Sequence, residues 1–198
     1  MRAAVHCMFS AWGDSVTEKH DARAIANLVL REAWARELEI SNLKLQKLLF
    51  LCHAFFLVEK GKALVQGSFV AWQFGPVHKE AYEAFQSFGA KPIKSEAVSF
   101  SPVTGERRQV AAPQEHEVVD VVRKIIRFYG SWSASELVTL THAKNGPWDT
   151  VVTSAAKNAN MGLRISDEII VQRFKYHWFG EKRHLNDEDP NDDRPLVA

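Results

Sequence analysis

Apolar positions along this chain recur mostly at helical spacing and alternate in only two short stretches. Asp21 stands where an N-cap belongs, ahead of a face made by Ile25, Leu28, Val29 and Ala33. Ser41 can cap a second helix over 42–60, and Gly61 sits at the left-handed position that closes many helices. In that second segment Leu45, Leu48, Leu49, Cys52 and Phe56 keep helical spacing. Phe50, Phe55 and Leu57 carry the apolar surface nearly all round. A helix apolar on most sides must be buried, so this one is expected to be the central element.

Residues 64–74 read as extended, with Trp72 and Phe74 two apart and so on one side of the chain. Gly75-Pro76 then reads as a corner that launches a third helix over 76–88, closed by Gly89. Proline suits a first helical turn, and glycine accepts the conformation that proline imposes on its predecessor. Val98, Phe100 and Val103, then Thr104-Gly105, then Glu106 to Val110, read as a small β-hairpin near 97–111. Pro113 and Gly130 bracket the clearest amphipathic helix, with Val118, Val121, Val122, Ile125 and Tyr129 on one face. Ser133 and Glu136 have capping-box spacing before Leu137 and Leu140. Asn145-Gly146-Pro147-Trp148 repeats the glycine–proline corner. Ser166 can cap a last helix holding Ile169, Ile170, Phe174 and Trp178.

The fold class expected is therefore mainly α: a single compact helical bundle around a buried central helix, with one outer hairpin. Residues 1–20 read as an arm of uncertain order, 21–179 as the helical domain, and 180–198 as an acidic tail expected to be disordered.

Composition narrows the function. The chain has 198 residues, 46% hydrophobic, with 25 basic against 24 acidic side chains. Balanced charge gives no general pull toward nucleic acid or anionic membrane. Cys7 and Cys52 read as free thiols of a cytoplasmic protein. Residues 3–12 are too short and too interrupted for a clean signal peptide, and no segment has the length of a membrane span.

Eight histidines raise the question of catalysis or metal binding. His116-Glu117 begins like a zinc-binding His-Glu-x-x-His, but Asp120 occupies the second histidine's place. His53 reads as a satisfied core or interface histidine. His142 could serve as a base, yet no nucleophile motif accompanies it. No phosphate-binding glycine loop or metal-spaced cysteine set is present, so neither cofactor nor metal is expected and the chain is not read as an enzyme. Lys44, Gln46 and Lys47 come nearest to a DNA-recognition set, on a helix too apolar for a groove. Arg107 and Arg108 could touch phosphate, although a solvated strand edge accounts for them as well. What stands out is six Trp and twelve Phe, enough to build a core and leave anchors for a protein partner.

Three motifs taken in order resemble a known family. Leu43-Lys44-Leu45-Gln46-Lys47-Leu48-Leu49-Phe50 comes first, Ala71-Trp72-Gln73-Phe74-Gly75-Pro76-Val77 second. Glu136-Leu137 with Thr141-His142 and Pro147-Trp148 completes the set. Together they resemble the Panacea-domain, SocA-like antitoxins, over roughly residues 21–178. The resemblance implies a compact helical domain that neutralises a toxin encoded beside it by direct protein binding, with no catalytic residues to carry over. It also implies an alternative, an adaptor delivering the toxin to a ClpXP-type protease. A DNA-binding regulator and a hydrolase using His142 or His116 remain as rivals. The partner surface is expected on the third helix and the second corner, at His78, Lys79, Tyr82, Lys144 and Trp148. Leu45, Gln46, Lys47, Leu48, Trp72, Phe74, Gly75, Pro76, Thr141, His142 and Pro147 are expected to be structural.

Overall fold

The computed structural model describes residues 19–100, 103–157 and 162–174. Seven α-helices and five short strands lie among them. The helices are α1 (Ala22–Trp34), α2 (Asn42–Lys60), α3 (Lys79–Phe85), α4 (His116–Tyr129), α5 (Ala134–Thr141), α6 (Pro147–Lys157) and α7 (Asp167–Arg173). The strands are β1 (Phe69–Trp72), β2 (Gly75–Val77), β3 (Val98–Phe100), β4 (Arg107–Gln109) and β5 (Arg164–Ile165).

Local chemistry sets most helix ends. Asp21 caps α1 through the N–H of Arg23, and Ser41 caps α2 through the N–H of Lys44. Gly61 closes α2 in the left-handed region at φ 67°. Ser133 and Glu136 form a full capping box on α5, and Ser166 caps α7. Each cap gives an otherwise unsatisfied N–H a partner.

Helix α2 is buried from Asn42 through Leu57, with α1, α4, α5 and α7 packed around it. Phe50 stacks edge-on against Phe69 and Phe174, and Phe55 against Phe174. The chain just before α1 is anchored as well. His20 pairs with the 64–66 segment through its N–H to the Leu64 carbonyl and its carbonyl to the Gln66 N–H. The last residues of the expected arm are thus tied to the body. Cys7, Trp178 and the acidic tail lie outside the described residues.

Three readings need correction. Pro76 does not open a helix: it lies in β2, and α3 starts at Lys79 and ends at Phe85, followed by a 3-10 turn over 86–88. Second, Trp72 and Phe74 do not share one extended segment, because the chain reverses at Gln73-Phe74 and pairs Trp72 with Gly75. Third, Pro113 precedes α4 by three residues, and Glu115 occupies the N-cap position without a side-chain cap. The sheet β2-β1-β5 also went unpredicted. β2 is an edge strand there, so the missing N–H of Pro76 leaves no ladder bond unmade. The expected hairpin at 97–111 is present as β3–β4.

Candidate partner-binding site

The first half of α2, the β1–β2 hairpin, the end of α5 and the start of α6 meet at one corner. Its centre is Lys47, fully buried in the central helix. Its Nζ donates to the Pro76 carbonyl at 3.1 Å. Gly75 lies against it at φ 101°, a conformation L-residues rarely adopt. A Cβ there would fall 2.8 Å from Thr141 Oγ1 and 3.2 Å from Lys47 Cε and Nζ. Thr141 is itself held by donating to the Val138 carbonyl. Gly75 is therefore required twice, for its backbone and for the space it leaves.

Two further α2 side chains extend this polar seam. Gln46 accepts from the His78 N–H at 3.0 Å and donates to Asn42 Oδ1, while Asn42 donates to the Tyr82 carbonyl. One stripe of α2 thus holds β2 and α3 in place by main-chain contacts. Such buried amides lose much if either partner goes, since the remaining group is left dry and unbonded.

The outer layer is aromatic. His142, the C-cap of α5, stacks on Trp148 with ring centroids 3.7 Å apart and planes within 12°. Trp148 Nε1 donates to the Trp72 carbonyl at 2.8 Å, and the Trp72 ring meets Tyr82 edge-on at 4.8 Å. Trp72, Phe74, Tyr82, His142 and Trp148 are all half-buried. Lys79 is 74% exposed beside Glu83, and Lys144 is exposed on the loop between α5 and α6. Asn145 turns that loop with φ 62°, its N–H donating to Asp149 Oδ2 in the first turn of α6. Pro147 then takes the first position of the helix, as its fixed φ favours.

Electrostatics keep the corner neutral at the rings. Burial, with the Lys47 charge as a smaller cause, pushes His142 down to about 3, so its imidazole is uncharged at neutral pH. Its Nε2 is buried without a hydrogen-bond partner among the described residues. His142 is thus an uncharged ring stacked flat on Trp148.

The expected surface residues separate. Tyr82 and Trp148 are joined through Trp72, with Lys79 and Lys144 exposed on the elements that carry them. His78 is 2% exposed and does not share their face. Its Nε2 lies 2.8 Å from the Gln66 carbonyl, which makes that nitrogen the N–H donor, and burial lowers its pKa. It props the end of β2 against the loop at 66–68. Leu45 and Leu48 are fully buried, as expected for structure.

His53 and His116 also have structural partners. His53 is buried, with Nε2 3.1 Å from Asp167 Oδ1 and Nδ1 accepting from the Val65 N–H. Both nitrogens are occupied, which ties α7 to α2. His116 pairs with Asp120 on the exposed face of α4. Lys44, Gln46 and Lys47 are buried and cannot read a DNA groove. Cys52 is buried and free, its thiol pushed far up by desolvation. Among the described residues no His, Cys, Asp and Glu side chains cluster as a metal site would need, and no helix is long and apolar enough to cross a membrane. A cavity of about 300 Å³ between the start of α1, the end of α2 and the start of α4 is lined by Lys19, Asp21, Phe56 and Glu117, among others. It contains neither His142 nor His116.

Sequence reading missed the contact of Gly75 with Lys47 and Thr141. A signal existed: a lysine inside a helix apolar on most sides needs a buried acceptor.

Comparison with known proteins agrees with the motif order. The family described as "Antitoxin SocA-like, Panacea domain" matches residues 45–149, which include Gln46, Lys47 and the aromatic layer. The chain is also 42% identical over 156 residues to "Antitoxin SocA" of Caulobacter vibrioides (strain NA1000 / CB15N), covering 79% of this chain and 83% of that protein. No solved structure matches. On both counts this chain belongs to the SocA-like, Panacea-domain antitoxin family.

Proposed function

We propose that this chain is the antitoxin of a toxin–antitoxin pair and neutralises a protein toxin in the cytoplasm by binding it directly. The observation that carries this reading is the 42% identity to an antitoxin across 83% of that protein's length. The docking face is the aromatic layer of Trp72, Phe74, Tyr82 and Trp148, with Lys79 and Lys144 at its rim. Its support is physical. Half-buried Trp and Tyr side chains held by their own contacts give up little freedom on binding, and such residues dominate binding energy at protein interfaces. The buried seam below fixes their positions, with His78 as a prop rather than a contact.

Co-expression with the neighbouring gene tests the reading. That gene should be toxic alone, and the two proteins should co-purify. A harmless neighbour that does not co-purify sinks it. Lys144→Glu and Tyr82→Ala should weaken the complex about tenfold or more while leaving the fold intact. Unchanged affinity in both would move the interface elsewhere. Masking should survive removal of residues 181–198. Delivery to a ClpXP-type protease through that segment would instead show as loss of toxin degradation.

A further inference from the structure

The β3–β4 hairpin stands apart from the core and is the most exposed apolar feature among the described residues. Val98 is 49% exposed, Phe100 62% and Val103 91%. Its root is fixed by Asn27 of α1. Asn27 Nδ2 donates to the carbonyls of Ala97 and Val110, and its Oδ1 accepts from the Ala97 N–H. The Val110 N–H donates to the Ala97 carbonyl. Ala97 and Val110 therefore occupy a hydrogen-bonded position of the ladder, with Asn27 inserted in place of the second bond.

That fixes the phase of the whole hairpin, because hydrogen-bonded and non-bonded pairs alternate in an antiparallel ladder. Ser99 with Arg108 is the next bonded pair. Val98 with Gln109 and Phe100 with Arg107 are non-bonded pairs, so their backbone N–H and C=O groups point outward. β3 thus presents the amides of Val98 and Phe100 on an edge that no strand among the described residues covers, and β4 presents those of Arg107 and Gln109. The Val98 and Phe100 side chains share one face.

From this register we infer that the β3 edge pairs with β3 of a second copy of this chain, across a two-fold axis through Ser99. Val98 then meets Phe100 of the partner copy as a hydrogen-bonded pair, and Phe100 meets Val98. Four outward-facing amides find acceptors, and the exposed apolar side chains cover one another. The β4 edge cannot do the same. A two-fold axis there sets Arg108 against Arg108, a like-charge pair that destabilises a sheet. Pairing β3 with β4 does not close on itself and would run into filaments. The β3 pairing is the closed arrangement that keeps the arginines apart. Three-residue edges bury far less than the ~1,200 Å² of stable interfaces, so the dimer is weak and concentration-dependent. This inference stands independently of the proposed toxin contact.

Sedimentation equilibrium and crosslinking test it on the full chain. The average mass should rise above that of the 22.4 kDa monomer as concentration increases. Phe100→Asp should weaken association at least about tenfold without changing the circular dichroism. With Cys7→Ser in both variants, Ser99→Cys should form a covalent dimer under mild oxidation much faster than Arg108→Cys. Three results overturn the inference: a monomeric mass up to ~1 mM, where weak interfaces associate, Arg108→Cys crosslinking as fast as Ser99→Cys, or Phe100→Asp leaving association unchanged. A monomeric chain whose Phe100→Asp variant loses toxin binding also overturns it, and gives the edge to the toxin instead.

Discussion

Gly75-Pro76 and Gly146-Pro147 are the same dipeptide put to opposite uses. At the first, glycine itself takes the positive φ, and proline lies in an edge strand whose carbonyl accepts from the buried Lys47. At the second, the positive φ falls on Asn145, and proline begins α6. The first corner is fastened to α2 from below, whereas the second is fastened mainly to its own helix through Asp149. Proline allows both outcomes, since it only fixes φ and withholds a donor. The difference arises from what stands opposite: a cation in the core in one case, a free helix start in the other.

The sharpest way to break that contrast is Gly75→Ala. It combines an unfavourable φ with a Cβ 2.8 Å from a tethered Thr141 hydroxyl. A loss of about 3 kcal/mol or more is expected in chemical denaturation. Asn145→Gly at the other corner should shift stability by less than about 0.5 kcal/mol, because glycine accepts the same φ. Equal losses at both would refute the distinction.

Acid sensitivity of the same corner is of comparable size. His142 falls to about 3 in the folded protein against the ordinary 6.5, and His78 moves in the same direction. The unfolded chain therefore binds more protons than the folded one below pH 6.5. Stability should be flat in these groups above that pH and fall as the solution is acidified toward pH 3, by up to roughly 1.4 kcal/mol per pH unit for His142. His142→Phe should flatten part of the slope, and an unchanged slope would show that His142 does not contribute it.

Lys47→Met should cost about 1–3 kcal/mol by leaving the Pro76 carbonyl without its donor. In the same variant the His142 pKa should rise by NMR, since one cause of its depression is gone, yet stay below the ordinary value because burial persists. A further fall would contradict the assignment of the Lys47 charge. Trp148→Phe should cost less, about 1 kcal/mol, because the ring can still stack on His142 while the Trp72 carbonyl loses its donor. A loss above about 3 kcal/mol would mean that Trp148 carries more of the corner than one hydrogen bond.

How far the sequence could be read depends on the range of the signal. The caps at Asp21, Ser41, Ser133 and Ser166, the end of α2 at Gly61 and the hairpin at 97–111 all follow from residues within one or two turns of each other. The all-round apolar pattern of 42–60 is equally local, and it identified the buried central helix. Of the expected partner surface, Tyr82 and Trp148 do meet at one layer through Trp72, but nothing local distinguishes the exposed Lys79 from the buried His78 beside it. That depends on Gln46 and Gln66, which lie in other elements.

By itself, then, the sequence determined the mainly helical fold, the caps at Asp21, Ser41, Ser133 and Ser166 and the family, because these rest on short-range periodicity and on motifs in fixed order. Only the tertiary structure decided that Pro76 is a strand residue. There β1 pairs with β2 on one side and with distant β5 on the other, and the Pro76 carbonyl lies against a lysine of α2. Gly75 serves one turn of backbone and the side chains of two other elements at once, and a requirement imposed by two distant segments leaves no period in the chain.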